Sequence, residues 1–273
     1  MDNFADERDY QALESDKYTF AVLRRVIGGS CERLLTDHSR RILCYSTSPY
    51  PVWIWTADDA SQAEMESVYR LAAENGFLNG EYRFNLKYSM AAYFIKRAAL
   101  DGKRLAITMN MLAYDCPQPI RPERLADGAL YRCVDADAET LADFLEAFHA
   151  QTGTDQRDRA GYRANAEASI RAGKVFFWRN AGGRAVACCS LTLDSPAAAV
   201  GMVYTHPDFR RRHYAESMVY AITDMAVRAG YTPMLNTNAD YPASNACYRK
   251  LGYIARGGLC TIGADGKESR QTY

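Results

Sequence analysis

The chain has no surplus of charge of either sign. Its 33 lysines and arginines balance its 33 aspartates and glutamates, which argues against a dedicated nucleic-acid binder, because such proteins carry a basic excess. Metal-site spacing is also missing. The histidines are His38, His149, His206 and His213, and none stands in an H-E-x-x-H arrangement. The cysteines, Cys31, Cys44, Cys116, Cys133, Cys188, Cys189, Cys247 and Cys260, include no C-x-x-C pair, and are expected as reduced, mostly buried thiols. No apolar run approaches the ~20 residues of a bilayer-spanning helix. The acidic, polar stretch Met1–Tyr10 lacks the basic start and apolar core of a secretory signal. A cytoplasmic protein with neither membrane nor nucleic acid as partner is therefore expected. The G-x-G-x-x-G and phosphate-loop patterns, low-complexity tracts and short repeats are absent too. What is present is 273 residues with 48% hydrophobic and 24% charged side chains, enough for one large domain or two ordinary ones.

Punctuation and periodicity divide the chain at about residue 125. Before it, strands are expected at 42–46, 51–56 and 105–114, with a strand or short helix at 19–27. A helix over 61–75 opens on the capping box Ser61-x-x-Glu64 and closes at Gly76, and a second covers 90–100. The run C-P-Q-P-I-R-P, Cys116 to Pro122, reads as the start of an extended linker. Beyond it the order is β-α-α-β-β-β-α-β-α-β. It includes strands at 129–134, 175–179, 185–193, 198–205 and 234–237. Helices are expected at 138–150, 159–172, 211–229 and 243–251, with one or two closing strands after Tyr253. The buried side of the 211–229 helix is expected to carry Tyr214, Met218, Ile222 and Met225, with Ala215, Val219 and Ala226 beside them.

Two segments carry chemistry. In F-R-R-R-H-Y-A, Phe209 to Ala215, three arginines sit where a strand turns into a helix. Positive charge opposes the helix dipole there, and a bound anion would account for it. The free N–H groups of the first helical turn suit a diphosphate, which accepts several at once. A solvated basic cluster is the plain alternative. The second segment is S-N-A-C-Y-R-K-L-G-Y, Ser244 to Tyr253. Ser244, Asn245 and Tyr248 form one helical stripe of hydroxyl, amide and phenol, which suits a ligand wall, while Cys247 and Leu251 form a second stripe that suits a core. A phenol can protonate a thiolate leaving a thioester; a half-buried tyrosine bonded elsewhere is the plain alternative. Together the segments point to an acyl transferase that uses coenzyme A.

These residues resemble the GCN5-related N-acetyltransferases, the GNAT superfamily, over about 128–260. The family's cofactor motif, (Q/R)-x-x-G-x-(G/A), aligns with Arg210, Arg211, Arg212, His213, Tyr214 and Ala215. Val203, Tyr204 and Thr205 look like its splayed strand, whose backbone pairs with the pantetheine arm. In the later segment the resemblance implies that Asn245 approaches the cofactor and that Tyr248 is the general acid. It implies a mixed α/β fold, α+β-like, with a central mostly antiparallel sheet splayed at the cofactor site. A catalytic acetyl-CoA-binding domain at 126–273 would follow a degenerate GNAT-like domain at 1–125 that contributes to the substrate pocket. Two departures stand out: His213 replaces the usual glycine, whose absent side chain lets phosphate approach the backbone, and Tyr241 stands where relatives often have asparagine.

The expected reaction is transfer of an acetyl group from acetyl-CoA, as cosubstrate, to a primary amine of a small molecule or peptide, directly within a ternary complex. The chain would act alone or as a homodimer, with no metal. The strand at 198–205 has no carboxylate. Asp155, Glu167 and Asp194 are candidate bases, each more readily read as a surface residue, so water-mediated deprotonation is expected. Trp53, Trp55 and Trp178 are expected in the core. The alternative is a non-catalytic sensor of acyl-coenzyme A.

Overall fold

The computed structural model describes residues 1–153 and 156–264. The fold is mixed α/β, with strands and helices in two compact units. The first comprises Met1–Ala113, Thr237–Asp240 and the described residues from Arg256; the second comprises Tyr114–Asn236 and Tyr241–Ala255. The units part before the expected boundary at 125. The segment expected as a linker is tied down within the second unit: the Cys116 N–H donates to the Pro233 carbonyl and the Ile120 N–H to the Leu251 carbonyl, both at 2.9 Å. Its prolines rule out a regular strand, yet the Cys116 and Ile120 N–H groups still find partners.

In the first unit α1 (Glu7–Ala12) and α2 (Ala21–Ile27) precede β1 (Arg33–Thr36), β2 (Arg41–Tyr45) and β3 (Val52–Thr56). Next come α3 (Gln62–Glu74), β4 (Phe84–Leu86), α4 (Tyr88–Leu100) and β5 (Leu105–Asp115). The reciprocal Ser61–Glu64 capping box starts α3 as its sequence requires. The strand order is β1-β2-β3-β4-β11-β5, with β11 the last strand of the chain, Ile254–Ala264. Strand alternation builds a core on each face. Leu43, Tyr45, Val52 and Ile54 pack with Tyr69, Met90 and Phe94 of α3 and α4. Ile42, Cys44, Trp53 and Trp55 pack with Phe20, Leu23 and Ile27. Trp53 and Trp55 are thus core residues, and the Trp55 indole N–H donates to Asp16 at 2.7 Å.

In the second unit β6 (Ala129–Arg132), α5 (Ala138–Thr152), α6 (Arg159–Arg171), β7 (Val175–Arg179), β8 (Ala185–Asp194) and β9 (Ala197–Thr205) follow the expected order. They are succeeded by α7 (Tyr214–Arg228), β10 (Thr232–Asn238) and α8 (Pro242–Lys250). The strand order is β10-β9-β8-β7-β6. β9 and β10 are parallel and the other neighbours antiparallel. Phe144, Tyr162 and Ile170 of α5 and α6 pack on Phe177, Cys188 and Tyr204, and α7 covers β8 and β9 from the face toward which Trp178 turns. α7 begins three residues later than its periodicity suggests. It also buries Glu216, Ser217 and Thr223 beside Met218, Val219 and Ile222, while Met225 is only half-buried.

One clasp in the first unit titrates. His38, buried and left-handed at φ 59°, lies 2.7 Å by Nδ1 from Asp9 and 2.9 Å by Nε2 from Asp2; Thr36 also donates to Asp9. Both ring nitrogens can donate at once only in the imidazolium form, which this pair of contacts favours. The Asp9 carboxylate raises its pKa above the ordinary value; burial opposes this, and Asp2 adds to it. A raised folded-state pKa contributes stability that is fully present below the unfolded histidine value, ~6.5, and is lost as pH rises through the folded value. Denaturant unfolding across a pH series is expected to show stability falling above about pH 7. His38→Asn, which tolerates the left-handed backbone, is expected to flatten that profile and to cost about 2 kcal/mol at acid pH. The same slope in the variant would exclude His38 as its source.

Candidate cofactor-binding and active site

β9 is ordinary at its start and exceptional at its end. Its parallel pairing with β10 runs only over Ala197, Ala198 and Ala199. On its other side the register with β8 passes from Ser190↔Gly201 to Cys188↔Tyr204, so Met202 and Val203 oppose Cys189 alone. This bulge puts Met202 at φ 48°. From Val200 to Thr205 the side facing β10 therefore has no ladder partner among the described residues. Val203 lies in this open edge. The Tyr204 side chain turns to the opposite face, packs 5.8 Å from the Phe144 ring and lines a cavity of about 670 Å³ with Phe177 and His206. Thr205 Oγ1 is buried and finds no partner among the described residues.

The turn after β9 is strained. Non-glycine residues with positive φ among the described residues are His38, Met202, Arg211 and His213; Arg211 and His213 fall between β9 and α7, and Met202 lies in the bulge of β9. Backbone strain of this kind persists where the surroundings enforce it, and it gathers at functional sites. His213, at φ 64°, is the N-cap of α7 and provides no side-chain cap. Among the described residues no acceptor pairs with the N–H groups of Arg211, Arg212, His213, Tyr214, Ala215 or Glu216; the first helical bond is Ser217 N–H to the His213 carbonyl. A left-handed turn that leads into an open helix N-terminus concentrates main-chain donors.

The side chains around this turn divide sharply. Arg210 folds back, donating to the Thr205 carbonyl at 3.2 Å and to Gln151 at 2.7 Å. Arg211 and Arg212 are exposed; the Arg212 guanidinium lies 5.5 Å from the Phe209 ring centroid. Two of these arginines, Arg211 and Arg212, thus have no acceptor among the described residues. Tyr214 is buried and donates to Asp127 at 2.6 Å, a bond that raises the phenol pKa and lowers that of the carboxyl; the Trp178 N–H donates to the Asp127 carbonyl. Its side chain is structural, and only its main chain faces the turn. The His213 ring bends away along the helix, with Nδ1 3.0 Å from Glu216.

On α8 the Ser244–Asn245–Tyr248 stripe was expected to face a ligand. Asn245 and Tyr248 instead form the buried face of the helix, and Cys247 and Ser244 are half-exposed. The reason is Tyr114, 131 positions from Asn245 in sequence, which donates to the Asn245 side-chain oxygen at 2.9 Å. The Asn245 amide donates to the Tyr241 carbonyl at 2.9 Å, so both polar ends are engaged within the protein. The Tyr248 ring lies 6.2 Å from that of Tyr114 and 5.8 Å from that of Tyr253. Tyr248 is 7% exposed, yet its hydroxyl is not among the buried polar atoms cut off from partners and has no hydrogen-bond partner among the described residues. The ring is core and the hydroxyl reaches accessible space. Burial holds its pKa well above the tyrosine value. Burial also pushes the Cys247 thiol up to about 11, which leaves it too little thiolate at neutral pH to serve as a nucleophile.

No carboxylate lies on β9. Asp194 is exposed at the end of β8, and Glu167 pairs with Arg163 at 3.0 Å and Arg171 at 3.9 Å. Asp155 lies outside the described residues. Sequence patterning passed over Glu216, Lys250, Tyr114 and Asp127. Glu216 was the one with a local signal, an acidic residue three positions after the N-cap.

Residues 138–253 match the model of the Acetyltransferase (GNAT) family. No curated protein matches the chain. Solved structures resemble it over nearly its whole length. An acetyltransferase from the GNAT family from Colwellia psychrerythraea is 12% identical, with 96% of this chain and 98% of that one covered and a TM-score of 0.55. A GCN5-related N-acetyltransferase from Kribbella flavida is 17% identical, covering 93% and 96%, with a TM-score of 0.58. Another from Sphaerobacter thermophilus is 12% identical, covering 94% and 92%, with a TM-score of 0.62. At these identities the likeness is one of fold.

The backbone at His213 makes a clear prediction. A non-glycine residue in the left-handed region costs about 1–2 kcal/mol. In denaturant unfolding His213→Gly is expected to be at least as stable as the parent. His213→Val, whose branched side chain resists this φ, is expected to lose about 1–2 kcal/mol. Equal stability of the two variants would show that the turn does not require the left-handed residue.

Proposed function

We propose, from a chain whose residues 138–253 carry a domain of the acetyltransferase (GNAT) family, that the protein moves an acetyl group from acetyl-CoA to a primary amine of a small molecule or peptide. The observation that carries this reading is the uncapped left-handed turn at Arg211–His213 opening α7. The residues present fit the carrier. The open N–H groups of Arg211 to Glu216 would donate to its diphosphate, aided by the Arg211 and Arg212 charges. The unpaired edge of β9 around Val203 would accept its extended amide-bearing arm. Asn245 would hold the start of α8 in place, acting from behind the site. The carrier, when bound, supplies an activated thioester carbonyl.

The remaining work falls to the chain. An amine nitrogen forms a bond to the carbonyl carbon, the carbon–sulfur bond breaks, the nitrogen loses a proton and the sulfur gains one. Tyr248 is the group proposed to meet the sulfur, because its hydroxyl alone on the buried face of α8 is uncommitted. With no carboxylate on β9, water removes the nitrogen's proton. The raised pKa of Cys247 argues against an acyl-cysteine route and for direct transfer in a ternary complex. Residues 1–125 are read as a degenerate domain of the same type, with strands and helices but no arginine turn. The missing carboxylate also keeps a second reading in view, a sensor that binds acyl-coenzyme A without turning it over.

Coenzyme A release with a panel of amines tests the proposal. Tyr248→Phe is expected to lower kcat roughly 10²-fold with calorimetric affinity for coenzyme A unchanged. Because the phenol pKa is raised above tyrosine's ordinary ~10, its ionisation should cause no fall in kcat up to about pH 9. Unchanged turnover would remove Tyr248 as the acid. Thermal stabilisation by acetyl-CoA with no transfer to any amine would favour the sensor.

A further inference from the structure

Glu216 has no evident place beside an anion site. It is the third residue of α7, on the very turn whose N–H groups are open, and its side chain is only 11% exposed. A carboxylate there complements the helix dipole when the turn is empty, but it would repel a diphosphate. Two neighbouring side chains offset it. His213 Nδ1 lies 3.0 Å from Oε2, and Lys250 Nζ lies 2.6 Å from Oε1. Burial pushes the Glu216 pKa up, yet His213 and Lys250 together hold it below the ordinary glutamate value.

Lys250 is the last residue of α8, two positions beyond Tyr248. The ion pair therefore ties the anion-binding turn to the helix that carries the proposed acid. A second tie lies two helical turns deeper on the same stripe of α7: Thr223 Oγ1 is 2.7 Å from the Tyr253 hydroxyl, and the Tyr253 ring packs 5.8 Å from that of Tyr248. The inner tie is buried and holds α8 on α7. The outer tie ends at the mouth.

We propose that Glu216 is a positioning residue that couples occupation of the α7 mouth to the placement of Tyr248 through Lys250. The inference rests on the function proposed above. A diphosphate at the open N–H groups competes with Glu216 for His213 and Lys250, and any shift in Lys250 moves the end of α8. Because the inner tie remains, neutralising Glu216 leaves α8 docked but uncouples it from the mouth.

Fluorine NMR of protein labelled with 3-fluorotyrosine, with the Tyr248 resonance assigned through Tyr248→Phe, reads this coupling without turnover. In the parent protein, inorganic pyrophosphate or coenzyme A is expected to shift the Tyr248 resonance. In Glu216→Gln, pyrophosphate is expected to bind roughly two- to tenfold more tightly because a nearby negative charge is gone, while the shift is lost. In the transfer assay Glu216→Gln and Lys250→Met are each expected to lower kcat about tenfold, and the double variant about tenfold as well, since both break one interaction. A Tyr248 shift that survives in Glu216→Gln, affinity and kcat that fall together, or multiplying losses in the double variant would each overturn the coupling. Failure of both pyrophosphate and coenzyme A to bind the parent protein would overturn the proposed function and this inference with it.

Discussion

The second unit is organised around main-chain donors that the protein leaves open. A helix N-terminus leaves its first N–H groups without intrahelical partners, and most helices close that gap with a serine, threonine, aspartate or asparagine. Asp6, Ser61 and Asp158 do so for α1, α3 and α6. α7, like α2, α4, α5 and α8, has no side-chain cap; it differs from them in that its N-cap is a histidine in the left-handed region whose side chain turns back toward Glu216. Such an arrangement is unfavourable for folding alone, through both strain and unsatisfied donors. A bound anion would offset both. The neighbouring features leave that mouth clear: Arg210 is drawn back onto Thr205 and Gln151, Tyr214 is pinned to Asp127, and β10 leaves β9 after Ala199.

His213 illustrates how one conformation can be reached by different residues. Glycine adopts the left-handed region freely and adds no bulk. Histidine reaches it at a cost, but is among the residues that do so most often, and here a carboxylate on the next turn holds the ring aside. The left-handed backbone angle that glycine would supply is retained at His213.

Much of this was readable from local pattern. Most helices after residue 125 were legible because apolar periodicity, capping residues and stop glycines agree along single segments, as at 138–150 and 159–172. The basic turn was legible because charge opposed to the dipole is a local contradiction. Three things were not. The left-handed backbone at Arg211 and His213 delays α7 by three residues, and only the glycine that relatives carry at the position of His213 hints at it. The buried face of α8 was misassigned because Tyr114, which fills the groove against Asn245 and Tyr248, is far away in sequence. The polar residues buried along α7, Glu216, Ser217 and Thr223, break its apolar stripe for partners that only the fold brings near: Lys250 for Glu216, the Ala126 N–H for Ser217 and the Tyr253 hydroxyl for Thr223.

The burial of Tyr248 constrains any chemistry assigned to it. A thiol has a pKa of ~8.5 and an unperturbed phenol ~10, so full proton transfer from phenol to thiolate is uphill even in water. Burial raises the phenol further, and the deficit grows. A buried tyrosine therefore cannot work by handing a proton to a free thiolate and waiting. What it can do is donate a short hydrogen bond to sulfur while negative charge is still developing, in surroundings where such a bond is stronger than in water. In the proposed reaction the proton that finally resides on sulfur would be matched by the one the amine nitrogen sheds, so the phenol would end the cycle as it began. This role depends on position far more than on acidity. That is why the contacts fixing α8, from Tyr114 and Asn245 on one side to Glu216, Lys250 and Tyr253 on the other, bear on the chemistry as directly as the hydroxyl itself.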